Sequence, residues 1–212
     1  MFKQLLRLSG VLILGINLSS CSIFEPVKIR PITNYIIADK NIGSSSTKNN
    51  CSADAKLGII YVSPTRAFQP YNLSKLYYTE SDFQINSFGY SQWISEPTEL
   101  ITQEIIKNIS ASCMFKNVVT SNALANAKYR LVTVLVLMRQ EINPTEHNKV
   151  QAHMILATQL INIDSNQVIA TKVFDQVTPT TTGPKGLVDG VNSMFSQYNQ
   201  QLLTWLQQQL SA

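Results

Sequence analysis

The sequence predicts an α+β protein: a single domain in which a mixed, mostly antiparallel sheet is packed by two main helices as a two-layer sandwich. Three features carry that expectation. Short apolar stretches bounded by turn residues recur along the chain, as strands do. Two segments, residues 95–112 and 187–210, change to helical spacing. Between them lie further strand patterns, one greasy on both faces and two forming a hairpin.

The N-terminus comes first. Lys3 and Arg7 precede an apolar run over residues 8–18, and the small residues Ser19 and Ser20 follow it, which is the order of a secretion signal. A membrane-spanning helix needs about 20 apolar residues. This run is much shorter and is broken by Ser9, Gly10, Gly15 and Asn17. Leu18-Ser19-Ser20-Cys21 looks like the lipobox of bacterial lipoproteins, in which the Cys is diacylated, exposed by cleavage and acylated again. A single myristoyl chain binds a membrane only marginally, whereas three acyl chains on Cys21 would hold the protein there essentially permanently. The chain therefore divides into a signal peptide at 1–20, a lipidated Cys and tether at 21–34, and a folded domain at 35–212.

The tether holds Pro26 and Pro31 and no regular period. Residues 35–38 read as a first short strand, and the polar NIGSSSTKNNCSADA as a surface loop. The folded body begins in earnest at KLGIIYVSP, a strand that stops at Pro64, and RAFQPYNLSK reads as an irregular connection. LYYTES and DFQINSFGYSQWI read as strands, with Gly89 a turn or bulge. In SEPTELITQEIIKNISAS, Pro97 suits a first helical turn and Glu96 and Glu99 suit the positive end of a helix dipole. Leu100, Ile101, Ile105 and Ile109 share one face, so this helix packs on the sheet. MFKNVVT reads as a strand. YRLVTVLVLMRQEI is greasy on both alternating faces and predicts a central strand covered on both sides. KVQAHMILATQLINI and QVIATKVFDQV flank the turn DSNQ and predict a hairpin. TPTTTGPKG is a loop, and residues 187–210 form a long amphipathic helix.

Composition excludes some partners. The formal charge of +4 loses Lys3 and Arg7 with the signal, leaving about +2, and no basic stripe with interleaved aromatics appears, which argues against nucleic acid. The mature length of about 190 residues fits one domain with a core large enough to fold without metal. Outside the cytoplasm, Cys51 and Cys113 form a disulfide more often than they stay free. The closed loop would contribute roughly 4 kcal/mol in the chain-entropy model. The alternative is two buried thiols too far apart to join.

The lipobox, the strand ending in VSP, the stretch LYYTESDFQINSFGYSQWISEPTELITQEI, the greasy strand with its hairpin and the terminal helix together resemble the ABC-type transport auxiliary lipoprotein family, nearest its paraquat-inducible protein C type. In that family a tyrosine-rich strand leads to an aromatic, a Trp and a Pro before a helix. Here those are Tyr77, Tyr78, Tyr90, Trp93 and Pro97. The resemblance implies a non-enzymatic docking or structural subunit that works with inner-membrane ABC transporter subunits and with proteins carrying mammalian-cell-entry (MCE) domains. Ser22, rather than Asp, follows the lipidated Cys, which by the Gram-negative sorting pattern implies an outer-membrane, periplasm-facing location. Homo-oligomerisation is open. No cofactor or metal is implied beyond the covalent lipid on Cys21.

The residues agree that catalysis is not expected. HExxH, CxxC, GxSxG and Gly-rich phosphate loops are absent from the sequence. His147 falls in a turn and His153 on a strand, most simply as a solvated and a sheet-face histidine. The cluster Tyr77, Tyr78, Phe83, Phe88, Tyr90 and Trp93 has two readings. It packs a helix on the sheet, or part of it forms an exposed patch, since Tyr and Trp are enriched at interfaces. Strand alternation cannot turn all six inward, so Tyr77, Tyr78, Phe88 and Tyr90 are the partner-interface candidates and Trp93 and Pro97 are structural. Two other readings remain: a lipid carrier with a cavity between LVTVLVLM and the terminal helix, and an outer-membrane assembly lipoprotein.

Overall fold

The computed structural model describes residues 30–39, 57–121, 126–143 and 149–211. The chain divides into Met1–Pro31 and a compact unit, Ile32–Ala212; the elements described here belong to the second. Their order is β1 (Thr33–Tyr35), β2 (Leu57–Val62), β3 (Arg66–Ala67), β4 (Lys75–Ser81), β5 (Gln84–Trp93), α1 (Pro97–Ala111), β6 (Phe115–Val119), β7 (Tyr129–Asn143), β8 (Lys149–Asn162), β9 (Gln167–Pro179) and α2 (Pro184–Leu210). The fold is α+β, an open mixed sheet with two helices, as the sequence predicts. The first strand begins at Thr33, two residues inside the stretch expected as tether.

The long strand β7 organises the sheet. One edge pairs antiparallel with β8 from Tyr129↔Asn162 to Asn143↔Lys149, and β9 continues beyond β8. The other edge takes three short strands in succession, all parallel: β2 at Val62↔Leu131, β3 at Arg66↔Val134 and β4 at Tyr78↔Gln140. Pro64 and Pro70 stand in the two gaps between them. A proline has no N–H for the ladder, so the chain leaves the sheet there and rejoins it. Ser63 N–H donates to the Leu131 carbonyl at 2.9 Å and Phe68 N–H to the Leu135 carbonyl at 3.0 Å, which keeps the interrupted edge in register. Beyond these strands lie β6 beside β2, β5 beside β4, and β1 parallel to β5.

Both helices start on a proline, whose fixed φ suits the first turn and whose missing N–H is not needed there. Gly183, just before α2, has φ +105, a conformation that favours glycine. Along α1, Leu100, Ile101, Ile105 and Ile109 are buried, and along α2 the buried stripe runs from Leu187 to Leu206. Close approach of α2 to β8 requires Gly190, where a Cβ would lie 2.6 Å from the Ala152 Cβ. Under the helices, Tyr198 inserts its ring against Phe174 edge-on at 4.8 Å, and its hydroxyl lies 3.1 Å from Thr158 Oγ1. Thr158 is the direct cross-strand partner of Thr133, so two buried hydroxyls serve one buried phenol. Between the helices, Asp39 accepts from Ser196 Oγ at 2.6 Å and Asn199 Nδ2 at 2.9 Å, while Asn108 Nδ2 donates to the Asn199 carbonyl at 3.0 Å.

One expectation is corrected. Strand β7 is central, but only one of its faces is deeply buried; Val132, Val134 and Leu137 on the other side are half-buried. These side chains shield one another and their cross-strand neighbours, and apolar atoms at a surface do not require a second layer. A greasy two-faced pattern marks a strand with neighbours on both edges, not one with helices on both faces.

Candidate functional site

The β4–β5 hairpin carries the aromatic residues singled out in the sequence. Its turn is closed by the Thr79 hydroxyl, which donates to the Gln84 carbonyl at 2.6 Å and to the Ser81 carbonyl. Phe83, which sequence alternation places within a strand, instead occupies the turn and is fully exposed. Tyr78 and Phe88 are half-buried and stack with ring centroids 4.7 Å apart. Tyr90 is exposed. Tyr77 is not at the surface: it is 7% exposed and meets Tyr71 edge-on at 5.8 Å, so it belongs to the core rather than to the interface set. The reason is an irregular register, Lys75↔Gln92 followed by Tyr77↔Ser87, which spends extra residues of β5 opposite β4 and so defeats simple alternation. Trp93 and Pro97 are buried, one ending β5 and the other opening α1.

Cys113 follows α1 with a positive φ of 50° and is disulfide-bonded. Cys21, Cys51 and His147 lie outside the described residues. The pairing of Cys51 with Cys113 is therefore an expected result: non-reducing mass mapping of the native protein should recover the two peptides joined. Two freely alkylating thiols would overturn it.

A second cluster was not legible in the sequence. Glu141 on β7 accepts from Arg139 Nη2 at 2.8 Å and Nε at 3.1 Å, and from Gln151 Nε2 at 3.0 Å. His153 on β8 places Nδ1 3.0 Å from Glu141 Oε1 and Nε2 2.8 Å from Asp175 Oδ1 on β9. The register Glu141↔Gln151 and Arg139↔His153 brings the β7 and β8 members together. Beside them opens a cleft of about 470 Å³ lined by Thr79, Asp82, Arg139, Glu141, Lys149 and Gln151. Burial alone would raise the Glu141 carboxyl. The bonds from Gln151, His153 and Arg139 outweigh it and hold the group down at about 2, against an ordinary value of 4.5.

A folded-state value below the unfolded one contributes stability that is present above about 4.5 and is lost as pH falls toward about 2. Replacing Glu141 with Gln should thus lower the melting temperature at neutral pH and flatten its decline across that acid window. Thermal melts of both chains from pH 2 to 7 test this, and parallel curves would show that Glu141 is not a linked group. The cluster contains no nucleophile held by a base. Among the described residues no group of three or more His, Cys, Asp or Glu side chains is placed to hold a metal ion. The arrangement is a set of charges satisfying one another beside a polar cleft.

Residues 44–202 match the family model described as ABC-type transport auxiliary lipoprotein component. No curated protein matches the chain. Among solved structures, a Xanthomonas campestris protein of the family model DUF330 superposes with a TM-score of 0.63 at 12% identity, covering 73% of this chain and 86% of that one. An uncharacterized protein superposes with a TM-score of 0.62 at 12% identity, covering 83% of this chain and 99% of the other. At such identities the likeness is one of fold.

Proposed function

This chain belongs to the ABC-type transport auxiliary lipoprotein component family, and from that premise we propose that it is the outer-membrane-anchored docking or structural subunit of an MCE-type lipid-trafficking system. The observation that carries the reading is the extent of the family match, which takes in nearly every element from β2 to α2. The lipobox at Cys21 supports the anchor, and Ser22 after it supports the outer membrane. No helix among the described residues is long and apolar enough to cross a membrane. The β4–β5 hairpin supports docking: a fully exposed Phe83 at its turn and a stacked, half-buried Tyr78–Phe88 pair on its strands are aromatic side chains of the kind that dominate interface energetics. The family is one of auxiliary transport components, not of catalysts.

Of the other readings, the lipid carrier has the least support. It needs the space between β7 and α2 to be open, and that space is filled by Leu131, Leu135, Phe195, Tyr198 and Leu202, all at most 1% exposed.

The test is a pulldown. The native acylated protein should capture an MCE-domain protein from detergent-solubilised envelopes. Truncating an aromatic anchor costs 2 kcal/mol or more, so Phe83→Ala or Tyr78→Ala should weaken capture roughly thirtyfold. Phe83→Ala should leave the melting temperature in place because its ring packs on nothing. Normal capture by both variants would move the docking surface elsewhere. If the unaltered protein captures no MCE-domain partner even under crosslinking, the carrier or assembly reading takes precedence.

A further inference from the structure

We propose that the sheet edge formed by β1 and the end of β5 is a membrane-contacting surface, with Ile32, Ile36, Tyr90 and Ile94 resting in the interfacial layer of the bilayer that holds the lipidated Cys21. The proposal rests on the lipid-anchor reading above and goes beyond it, because a lipid anchor by itself leaves the folded body free to stand off from the membrane.

The register Thr33↔Ser91, Asn34↔Gln92, Tyr35↔Trp93 fixes the arrangement. Ser91 and Trp93 turn inward, so the residues between and beside them turn outward together. Gln92 Nε2 donates to Asn34 Oδ1 at 3.0 Å, which shows that the two strands share that outward face. Ile94 N–H donates to the Tyr35 carbonyl at 2.8 Å and extends the pairing past the last strand residue. Ile32 therefore ranks with Tyr90, and Ile36 with Ile94, on either side of the Asn34–Gln92 bond. All four are more than half exposed: Ile32 54%, Ile36 54%, Tyr90 56% and Ile94 60%. Four large apolar side chains in register on one edge are a patch rather than scattered surface residues.

Chain length selects the occupant. Ile32 is the first residue of the compact unit. Only eleven positions separate it from Cys21, a span of about 40 Å at full stretch and far less when relaxed. The patch is thus the part of the folded body that stands nearest in sequence to the acyl chains. Its chemistry fits that neighbour. Branched aliphatic side chains enter the headgroup and acyl boundary, and a tyrosine is at home at headgroup level. Lys75, the exposed cross-strand partner of Gln92, supplies a cation that favours anionic headgroups.

The experiment uses the native acylated protein in vesicles of phosphatidylethanolamine with phosphatidylglycerol. An environment-sensitive NBD fluorophore is placed at Ile94→Cys and, as the reference, at Gln197→Cys, an exposed position on α2. Lipids carrying a doxyl quencher should quench the label at 94 several-fold more than the label at 197. Adding Ile32→Ser and Ile36→Ser should return the label at 94 to its aqueous emission while the protein still sediments with vesicles. A label at 94 that stays aqueous in a chain that does sediment overturns the membrane surface and leaves the anchor intact. A chain that does not sediment at all removes the anchor reading and this proposal with it. Shielding at 94 that appears without vesicles, on raising protein concentration or adding the MCE partner, assigns the patch to a protein contact and overturns the proposal.

Discussion

Replacing Cys21 with Ala should abolish the lipid anchor to the outer membrane, leaving a soluble chain or an unprocessed precursor. The expectation follows from counting the attachments. Each buried CH₂ of an acyl chain adds about 0.8 kcal/mol, so one chain binds reversibly and three do not let go. The described residues contain no helix able to cross a membrane. The apolar patch on β1 and β5 holds only four large side chains, enough to orient an anchored body but not to retain a free one through washing. Fractionation of cells expressing the variant measures the effect. Recovery in the outer-membrane fraction after a carbonate wash would mean that something other than the Cys21 lipids holds the chain.

The second large effect is on folding. Trp93 is 1% exposed and belongs to the hydrophobic core. Its backbone N–H donates to the Ser74 carbonyl at 2.7 Å, its strand neighbour is Tyr35, and α1 begins four residues later. Truncation to Ala removes one of the two tryptophans of the core and leaves a cavity that a sheet edge tied by backbone bonds cannot close. The cost expected for such a change is about 3 to 5 kcal/mol. In a domain of this size each kcal/mol lowers the melting temperature by about 2 to 4 °C, so the drop should be on the order of 10 °C. Tyr90→Ala, three residues away and exposed, should change the melt little. Thermal melts of the two variants side by side distinguish the core reading from a surface one. Equal melts would place the Trp93 ring outside the core.

The pair Tyr77 and Tyr78 shows where sequence reading stops. As neighbours on a strand they should face opposite ways, and nothing in LYYTES says which turns inward. The answer depends on how many β5 residues are spent between Gln92 and Ser87, and that irregularity arises only when the two strands pair. The charged cluster is similar. Arg139 and Asp175 are far apart in the chain, and no local pattern joins them. The long hairpin register does, by setting Arg139 opposite His153 and bringing Asp175 within 2.8 Å of the same ring.

By itself the sequence determined what depends on neighbouring residues. Reading Leu18-Ser19-Ser20-Cys21 as a lipobox needs only a linear motif and no fold. The two helices follow from apolar spacing, the first also from Pro97 in its first turn, whereas the second starts three residues before the expected Leu187, at a Pro184 read as loop; the β8–β9 hairpin follows from two strand patterns flanking the turn DSNQ. Tertiary structure alone decided which strands lie along β7, which face of the sheet stays open, which tyrosine is buried and which isoleucines stand together at the β1 edge. A backbone ladder offers the same hydrogen bonds to any strand, so partner and register are chosen by the fit of side chains distant in sequence, and that fit exists only once the sheet has formed.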